Sequence, residues 1–322
     1  MGNTAFLNKL TGLLIIEAVN SNPNGDPDRE SDPRHRANGI GEISAVSLKA
    51  KIRALVGDKE GPVWGEYSSK LGLEAENFDI LECKGRSIGE LRKLSTDQLL
   101  SRFWDARLFG ASLLEKESGS KDNGGSEDTF QQHIHTGALQ FCTGLSCAPV
   151  KIIRNTTTIK RGVQEGKDRG MAPLAYRIVE YGLYTMPFFL NPTVANKTKC
   201  TSKDIALLMA VLPYAYAHTA SYIRPNVNIR HAWVAEHKNP LGSCPEWSIT
   251  QALTPRRKPQ FDPNLSAASI EEFDVPTELP ADVAGKLTGI RDLMDFYACT
   301  TTRIAGGWRV KIGQPFPRSP MP

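Results

Sequence analysis

The chain is predicted to be an α+β protein on the basis of two observations. First, the strand and helix patterns follow the order strand, loop, helix, insertion, two strands, hairpin, helix and strand, without the regular alternation of a Rossmann fold. Second, the apolar run Leu13–Val19 has the length and branching of a buried central strand. Together they predict a ferredoxin-like or RRM-like sheet that carries large insertions.

The segment Asn20–Asp28 follows this strand directly and contains Asn-Pro, Asn-Gly and Asp-Pro turn dipeptides. Gly25 permits a positive φ. Rigid polar loops at strand ends are favoured places for function, although a tight turn without a ligand fits the same residues. Asp26 and Asp28 could hold Mg²⁺ beside a phosphodiester, but Asp26 most simply closes the turn by accepting a backbone hydrogen bond.

An amphipathic helix is predicted for Ser47–Val56, because its apolar residues recur at helical spacing. Lys49 and Arg53 are four residues apart and share a face, where a phosphate ligand would relieve their mutual repulsion. Lys51 lies about 200° from Lys49 around the helix. Solvated side chains on an outer face are the alternative for all three.

The middle of the chain shows weaker signals. A polar helix is predicted near Ser87–Leu100, a strand ending at a glycine over Phe103–Gly110, where Arg107 interrupts the series, and another strand over Gly137–Cys142. Residues 115–132 are polar and rich in Gly and Ser, which predicts a mobile loop.

The segment Lys151–Arg177 concentrates charge, with seven Lys or Arg against two acidic residues and a local charge of +5 on a chain of net charge +4. β-Branched residues at its start and a Gly-rich, charged middle predict a long exposed hairpin with Met171 near its tip. A local basic segment indicates a polyanion site, and a solvated loop is the alternative.

A second helix is predicted with Ser202 as its N-cap and Pro213 at its end, followed by a strand over Asn226–Glu236. A loop over Thr254–Pro263, an acidic stretch over Ser266–Asp282 and a disordered Pro-rich tail over Gly313–Pro322 complete the chain.

Composition and motifs exclude several classes of protein. No apolar run reaches the roughly 20 residues of a membrane helix, and no secretory signal pattern starts the chain, so a cytoplasmic protein without membrane contact is expected. The six cysteines lack Cys-x-x-Cys spacing, which predicts reduced, mostly buried thiols. Phosphate-binding P-loop, nucleophile-elbow and dinucleotide motifs are missing from the sequence. His133 and His135 are expected to have a surface role rather than to bind a metal.

Several motifs taken together carry a family resemblance. They are Val19–Asp28, Leu48–Arg53, Arg102–Gly110, Val179–Tyr184 and Glu236–Gly242, in that order. With them the chain resembles the Cas7 family, the backbone subunits of type I CRISPR Cascade complexes, nearest the subtype I-C branch. The resemblance covers roughly residues 8 to 255.

The resemblance implies a hand-shaped subunit. Residues 1–260 would form an RRM-like palm, with a fingers insertion at 57–101 and a protruding thumb β-hairpin at 150–178, and residues 261–322 would be a C-terminal extension. Several copies would polymerise in a helical filament along one CRISPR RNA, kink it periodically and present it for base pairing with target DNA. Other Cascade subunits are the remaining expected partners.

The expected role is RNA binding without catalysis, cofactor or metal. The candidate RNA-binding residues are Asn20, Asn22, Asn24, Gly25, Lys49, Lys51, Arg53, Arg107, Gln140, Arg154, Lys160, Arg161, Arg169 and Met171. The alternative is a type III-like backbone subunit that cuts RNA with a metal held at Asp26 or Asp28. A third class is a nuclease that binds single strands and acts alone.

Overall fold

The structure is a computed structural model of the chain. It describes residues 6–86, 88–91, 93–113, 133–160, 171–297, 300–304 and 307–311. The segment 115–132, predicted to be a mobile loop, and the tail 313–322, predicted to be disordered, lie outside the described residues.

The described residues contain the following strands and helices. The strands are β1 (Leu10–Ser21), β2 (Gly25–Asp26), β3 (Asp32–Pro33), β4 (Ile40–Ile43), β5 (Gly110–Leu113), β6 (His133–Thr136), β7 (Leu139–Phe141), β8 (Gly144–Pro149), β9 (Ile152–Lys160), β10 (Met171–Leu190), β11 (Val227–His237), β12 (Arg256–Arg257), β13 (Phe273–Asp274), β14 (Leu287–Asp292), β15 (Thr300–Ile304) and β16 (Gly307–Lys311). The α-helices are α1 (Ala45–Gly57), α2 (Pro62–Leu71), α3 (Ile88–Leu91), α4 (Thr96–Arg102), α5 (Trp104–Phe109), α6 (Pro192–Lys197), α7 (Ser202–Val211), α8 (Glu246–Leu253) and α9 (Ala281–Ala284). Short 3₁₀ helices span Pro27–Arg29, Ala75–Phe78, Leu212–Tyr214, Ala217–Thr219, Ile270–Glu272 and Leu293–Tyr297.

The fold mixes helices and strands, and it is organised around a large antiparallel sheet. Its strand order is β14–β11–β1–β10–β8–β4, and β7 and β9 also pair with β10. β1 is central, with Leu14 opposite Met186 of β10 and Ala232 of β11. The prediction of a buried central strand is therefore confirmed.

Both faces of β1 are covered, which explains its continuous apolar run. Leu14 and Ile16 belong to a core shared with α1, α2 and α7. Leu13 and Ile15 belong to a second core with α8 and the segment that follows it. Each fully buried Leu or Ile contributes roughly 1.5–3 kcal/mol of apolar transfer. A sheet covered on one face only would show alternation instead.

The segment Phe103–Gly110, predicted to be a strand, is instead the helix α5 followed by the turn into β5. Phe103, Trp104 and Leu108 are fully buried, and Asp105 and Arg107 are buried as well. Because the helix is buried on every side, its apolar residues do not recur at helical spacing. Gly110 ends the helix with φ of 92°, and a Cβ there would clash with the carbonyl oxygen of His135.

Other boundaries shift slightly from the predictions. Thr201, rather than Ser202, is the N-cap of α7 and forms a capping box with Asp204. The helix ends at Val211, and Pro213 lies in the 3₁₀ turn beyond it, as predicted. The polar helix near Ser87–Leu100 is divided into α3 and α4.

The described cysteines are unpaired, but they are less buried than predicted. Cys200 is buried, Cys83 and Cys142 are exposed, and Cys147 and Cys244 are intermediate. Among the helices of the described residues, none has the length and apolar character needed to cross a bilayer.

Candidate nucleic-acid interface

The loop after β1 is held by its own asparagine side chains. Asn22 is buried, and its Nδ2 donates to the carbonyl oxygens of Ser31 at 2.8 Å and Arg177 at 3.1 Å. Asn24 is also buried, and its Oδ1 accepts a 2.7 Å hydrogen bond from the backbone N–H of Ser44, the N-cap of α1. These two amides, predicted as RNA ligands, therefore fix the loop against β10 and the start of α1.

The left-handed backbone conformation of this loop does not fall at Gly25. It falls at Asn20, Glu30 and Ser31, with φ of 46°, 49° and 66°. Asparagine tolerates this region better than most residues, and Asn20 is exposed. Gly25 instead permits a close approach, since a Cβ there would lie 3.2 Å from the carbonyl oxygen of Ser31.

Asp26 closes the turn, as predicted. Its side chain accepts a 3.3 Å hydrogen bond from the N–H of Asp28, caps the 3₁₀ helix that follows and lies 3.5 Å from Nη2 of Arg34. Asp28 is exposed. The part of the chain that the structure describes holds no group of three or more His, Cys, Asp or Glu side chains suited to a metal ion.

Lys49 and Arg53 of α1 share a face, as their spacing predicts. Lys49 Nζ and Arg53 Cζ each lie 5.3 Å from the ring centroid of Phe109. Arg53 is buried and ion-paired, with Nε 2.9 Å from Asp105 Oδ2 and Nη1 3.0 Å from Glu82 Oε2. Burial and the nearby Arg53 charge lower the pKa of Lys49, and Glu82 partly opposes them. Lys49 is therefore the more available cation of this face.

Lys51 and Arg224 form a second cationic pair beside the loop. Lys51 is only 7% exposed, and its Nζ lies 5.2 Å from the ring centroid of Tyr216. Burial and the charge of Arg224 lower the pKa of Lys51 to about 8. Nε of Arg224 donates to the carbonyl oxygen of Asn22 at 2.9 Å. Within the described residues neither cation has a carboxylate partner, so an anion is the group that would stabilise the pair.

Arg107 does not reach this interface. Its guanidinium donates to Asp204 Oδ1 from Nε and Nη2, and to the carbonyl oxygens of Leu100, Ser101 and Asn77. All five of its N–H groups thereby have acceptors, and the side chain is buried. Arg107 therefore joins α5 to α7 and leaves no donor for a phosphate, whereas the sequence predicted that it binds RNA.

Gln140 lies on β7, and its side chain is exposed. Its Nε2 donates to the carbonyl oxygen of Gly137 at 3.0 Å. Gln140 is therefore accessible, on a strand that pairs with residues 188–190 at the C-terminal end of β10.

The predicted hairpin is confirmed as the antiparallel pair β9 and β10. Its register runs from Ile152 opposite Val179 to Lys160 opposite Met171. The backbones of Lys160 and Met171 therefore lie side by side at the end of the paired strands. Arg161 and Arg169 lie outside the described residues.

A buried carboxylate anchors the base of this hairpin. Asp32 accepts hydrogen bonds from Arg154 Nη2 at 2.7 Å and Arg177 Nη1 at 3.0 Å, and Arg177 also pairs with Glu30. Burial alone would raise the pKa of Asp32, but the hydrogen bonds and charges of the two arginines hold it below its usual value. Arg154, a predicted RNA ligand, thus has an acidic partner within the chain.

The turn Ser221–Arg224 borders the same loop, and the sequence did not predict it. Asn22 N donates to the carbonyl oxygen of Ile223, and Arg224 N donates to that of Ser221, both at 2.8 Å. Tyr222, at the corner of this turn, is 62% exposed. The sequence signal for this turn is weak: Tyr222 and Arg224 lie two residues apart, directly before Pro225.

Comparisons with known proteins show the family of the chain. The family model described as CRISPR-associated protein Cas7 matches residues 8–278. A chain of a solved structure titled "CRISPR RNA-guided surveillance complex, pre-nicking" is 15% identical, with a TM-score of 0.42 over 70% of this chain and 78% of that one. The chain matches no curated protein.

Two further solved structures show similar chains. One is titled "CRISPR RNA-guided surveillance complex", with 15% identity and a TM-score of 0.35 over 75% of each chain. The other is the type III-B Cmr-beta complex bound to cognate target RNA, with 10% identity and a TM-score of 0.36 over 71% of this chain and 61% of that one.

Proposed function

Because the chain belongs to the family of the CRISPR-associated protein Cas7, we propose that it is an RNA-binding backbone subunit of a type I surveillance complex, nearest subtype I-C. The observation that carries RNA binding is the cationic pair of Lys51 and Arg224, which has no carboxylate partner in the described residues and lies beside a hydrogen-bonded loop. RNA phosphates are anions spaced regularly along a strand, so the same site can be used by each copy of the subunit.

The sheet topology supports an RRM-like palm within this proposal. The order β11–β1–β10–β8, with α1 following β1 and α7 following β10, is what a βαββαβ arrangement of the ferredoxin-like kind would require. Residues 57–101 would then be the fingers, and the β9–β10 hairpin would be the thumb. Met171, at the end of that hairpin's paired strands, would supply an apolar wedge beneath a displaced base.

Phosphate contacts hold a strand without reading its sequence. The subunit would therefore accept a guide of any spacer sequence, and base pairing would read the target DNA. Several copies, each contacting the next through a head-to-tail surface, would form an open helical filament along the guide and join other subunits of the complex.

The role that we propose is binding without catalysis. The Asp26 carboxylate is engaged by the N–H of Asp28 and by Arg34, which supports a loop-forming function. Cleavage by a metal at Asp26 would require this carboxylate to leave its turn. We therefore favour the structural subunit over the type III-like alternative.

Removing residues 160–171 is expected to leave a folded monomer that no longer assembles on guide-length RNA, because the cations and the wedge of the thumb would be lost. Size-exclusion chromatography with and without RNA measures assembly, and thermal melting measures folding. The matched control removes 12 residues, 115–126, from the polar Gly/Ser-rich segment and is expected to assemble normally. Normal assembly by the 160–171 variant would refute the thumb assignment.

A further inference from the structure

An exposed tyrosine lies at the base of the hairpin, against a second tyrosine. Tyr222 exposes 62% of its surface, although a large aromatic ring loses free energy by facing water. Its ring centroid is 5.6 Å from that of Tyr176, and the ring planes are tilted by 59°. Tyr176 belongs to β10 and stands opposite Asn155 of β9. The ring of Tyr222 is thereby supported by the hairpin while much of its surface stays accessible.

The turn that carries Tyr222 is held from two directions. The 2.8 Å bond from Arg224 N to the oxygen of Ser221 closes the turn itself. The loop after β1 holds it from outside, through Asn22 N to the oxygen of Ile223 at 2.8 Å and Arg224 Nε to the oxygen of Asn22 at 2.9 Å. A ring on such a turn is ordered before any ligand arrives, which lowers the entropy lost on binding.

The turn that carries Tyr222 also carries a cation, Arg224. Arg224 ends the same turn, two residues after Tyr222, and its charge acts on the buried Lys51. Single-stranded RNA presents a base and a phosphate in each nucleotide. Proteins commonly bind such strands by stacking the bases on aromatic rings while cations contact the backbone. The turn therefore combines both kinds of contact within four residues.

We propose that Tyr222 is a stacking platform for one nucleobase of single-stranded RNA, whose adjoining phosphate binds between Lys51 and Arg224. The inference rests on the proposed function, because it takes RNA as the ligand. Every base has a π face, so stacking tolerates any sequence. A subunit that holds variable guides requires this tolerance. Stacking also adds affinity that phosphate contacts alone do not supply.

The test uses the full chain and two RNA strands of equal length, one intact and one with a central abasic block. Tyr222→Ala is expected to bind intact RNA roughly 10- to 100-fold more weakly than wild type, with an unchanged slope of log affinity against log salt. Tyr222→Phe, which keeps the ring, is expected to bind like wild type. On abasic RNA, wild type and Tyr222→Ala are expected to bind equally.

The failures of this inference and of the proposed function are distinguishable. Wild-type protein that binds neither strand overturns the proposed function. Wild-type protein that binds RNA while Tyr222→Ala binds intact RNA equally well overturns the platform alone. Loss of self-association in Tyr222→Ala with unchanged RNA affinity would also overturn it and assign the ring to a protein contact. A weaker salt slope in Lys51→Met, but not in Tyr222→Ala, supports the division into phosphate and base contacts.

Discussion

The double variant Lys51→Met/Arg224→Gln is expected to bind single-stranded RNA at least about 100-fold more weakly than wild type at physiological salt. Each charge-assisted hydrogen bond to a phosphate contributes roughly 1.5–3 kcal/mol, and the variant removes two such donors. The slope of log affinity against log salt should fall by about 1.4, since each phosphate contact on a single strand contributes about 0.7. Binding isotherms at four or more salt concentrations measure both quantities.

A matched control separates this site from the general charge of the protein. Lys286→Met/Arg256→Gln removes the same two kinds of charge from exposed positions on β12 and just before β14, neither of which is part of the loop after β1. Its RNA affinity is expected to change by less than about 3-fold at the same salt, because exposed charges that do not contact the strand are screened. Equal losses in the two double variants would contradict a specific phosphate site at Lys51 and Arg224.

The stability of Lys51→Met provides a second control, because it should exceed that of wild type at pH 7. The pKa of Lys51 is about 8 in the folded chain and 10.5 in an ordinary environment, so below pH 8 folding confines a charge that burial disfavours. The gain in unfolding free energy is expected to be about 1–3 kcal/mol. This gain should shrink as pH rises from about 8 to 10.5. In that range the wild-type lysine is already neutral in the folded state but still charged in the unfolded state.

Replacing Asp204 with alanine is expected to lower the free energy of unfolding by about 3–5 kcal/mol, because it leaves the buried Arg107 guanidinium without its carboxylate. Urea denaturation measures the loss. Asp97→Ala breaks an exposed pair with Lys199 and should cost less than about 1 kcal/mol.

The variant Arg107→Met/Asp204→Leu tests the same ion pair from the other side. It replaces both charges with apolar groups and is expected to recover most of the stability lost in Asp204→Ala, because no uncompensated charge stays buried. Its RNA affinity should match wild type, since Arg107 has no donor left for a phosphate. A large drop in RNA affinity with restored stability would return Arg107 to the interface.

The features that the sequence predicts well are those with a local cause. The apolar run of β1, the spacing of α1 and the β-branched start of the hairpin each report on nearby residues. The helix α5 was missed because burial on all sides erased its period. Its neighbours β7 and α7 come from later in the chain.

The candidate site was predictable only in part, because its electrostatics depend on partners far apart in sequence. Helix spacing places Arg53, and not Lys51, on the face of Lys49. In the structure Arg53 is ion-paired with Asp105, whereas Lys51 faces Arg224 without a carboxylate partner in the described residues. Likewise, the side-chain Nδ2 of Asn22 donates to the carbonyl oxygen of Arg177 on β10. Sequence spacing shows which side chains share a helix face, but not which of them are already neutralised.

The most direct test of the proposed function is to sequence the RNA that copurifies with the full chain when it is expressed beside a CRISPR array and its processing enzyme. Array-derived guide RNAs are expected to dominate, with all spacers represented regardless of sequence, because phosphate contacts and base stacking do not read the base sequence. Copurified RNA without enrichment of array transcripts, or a preference for one spacer, would contradict the proposed function.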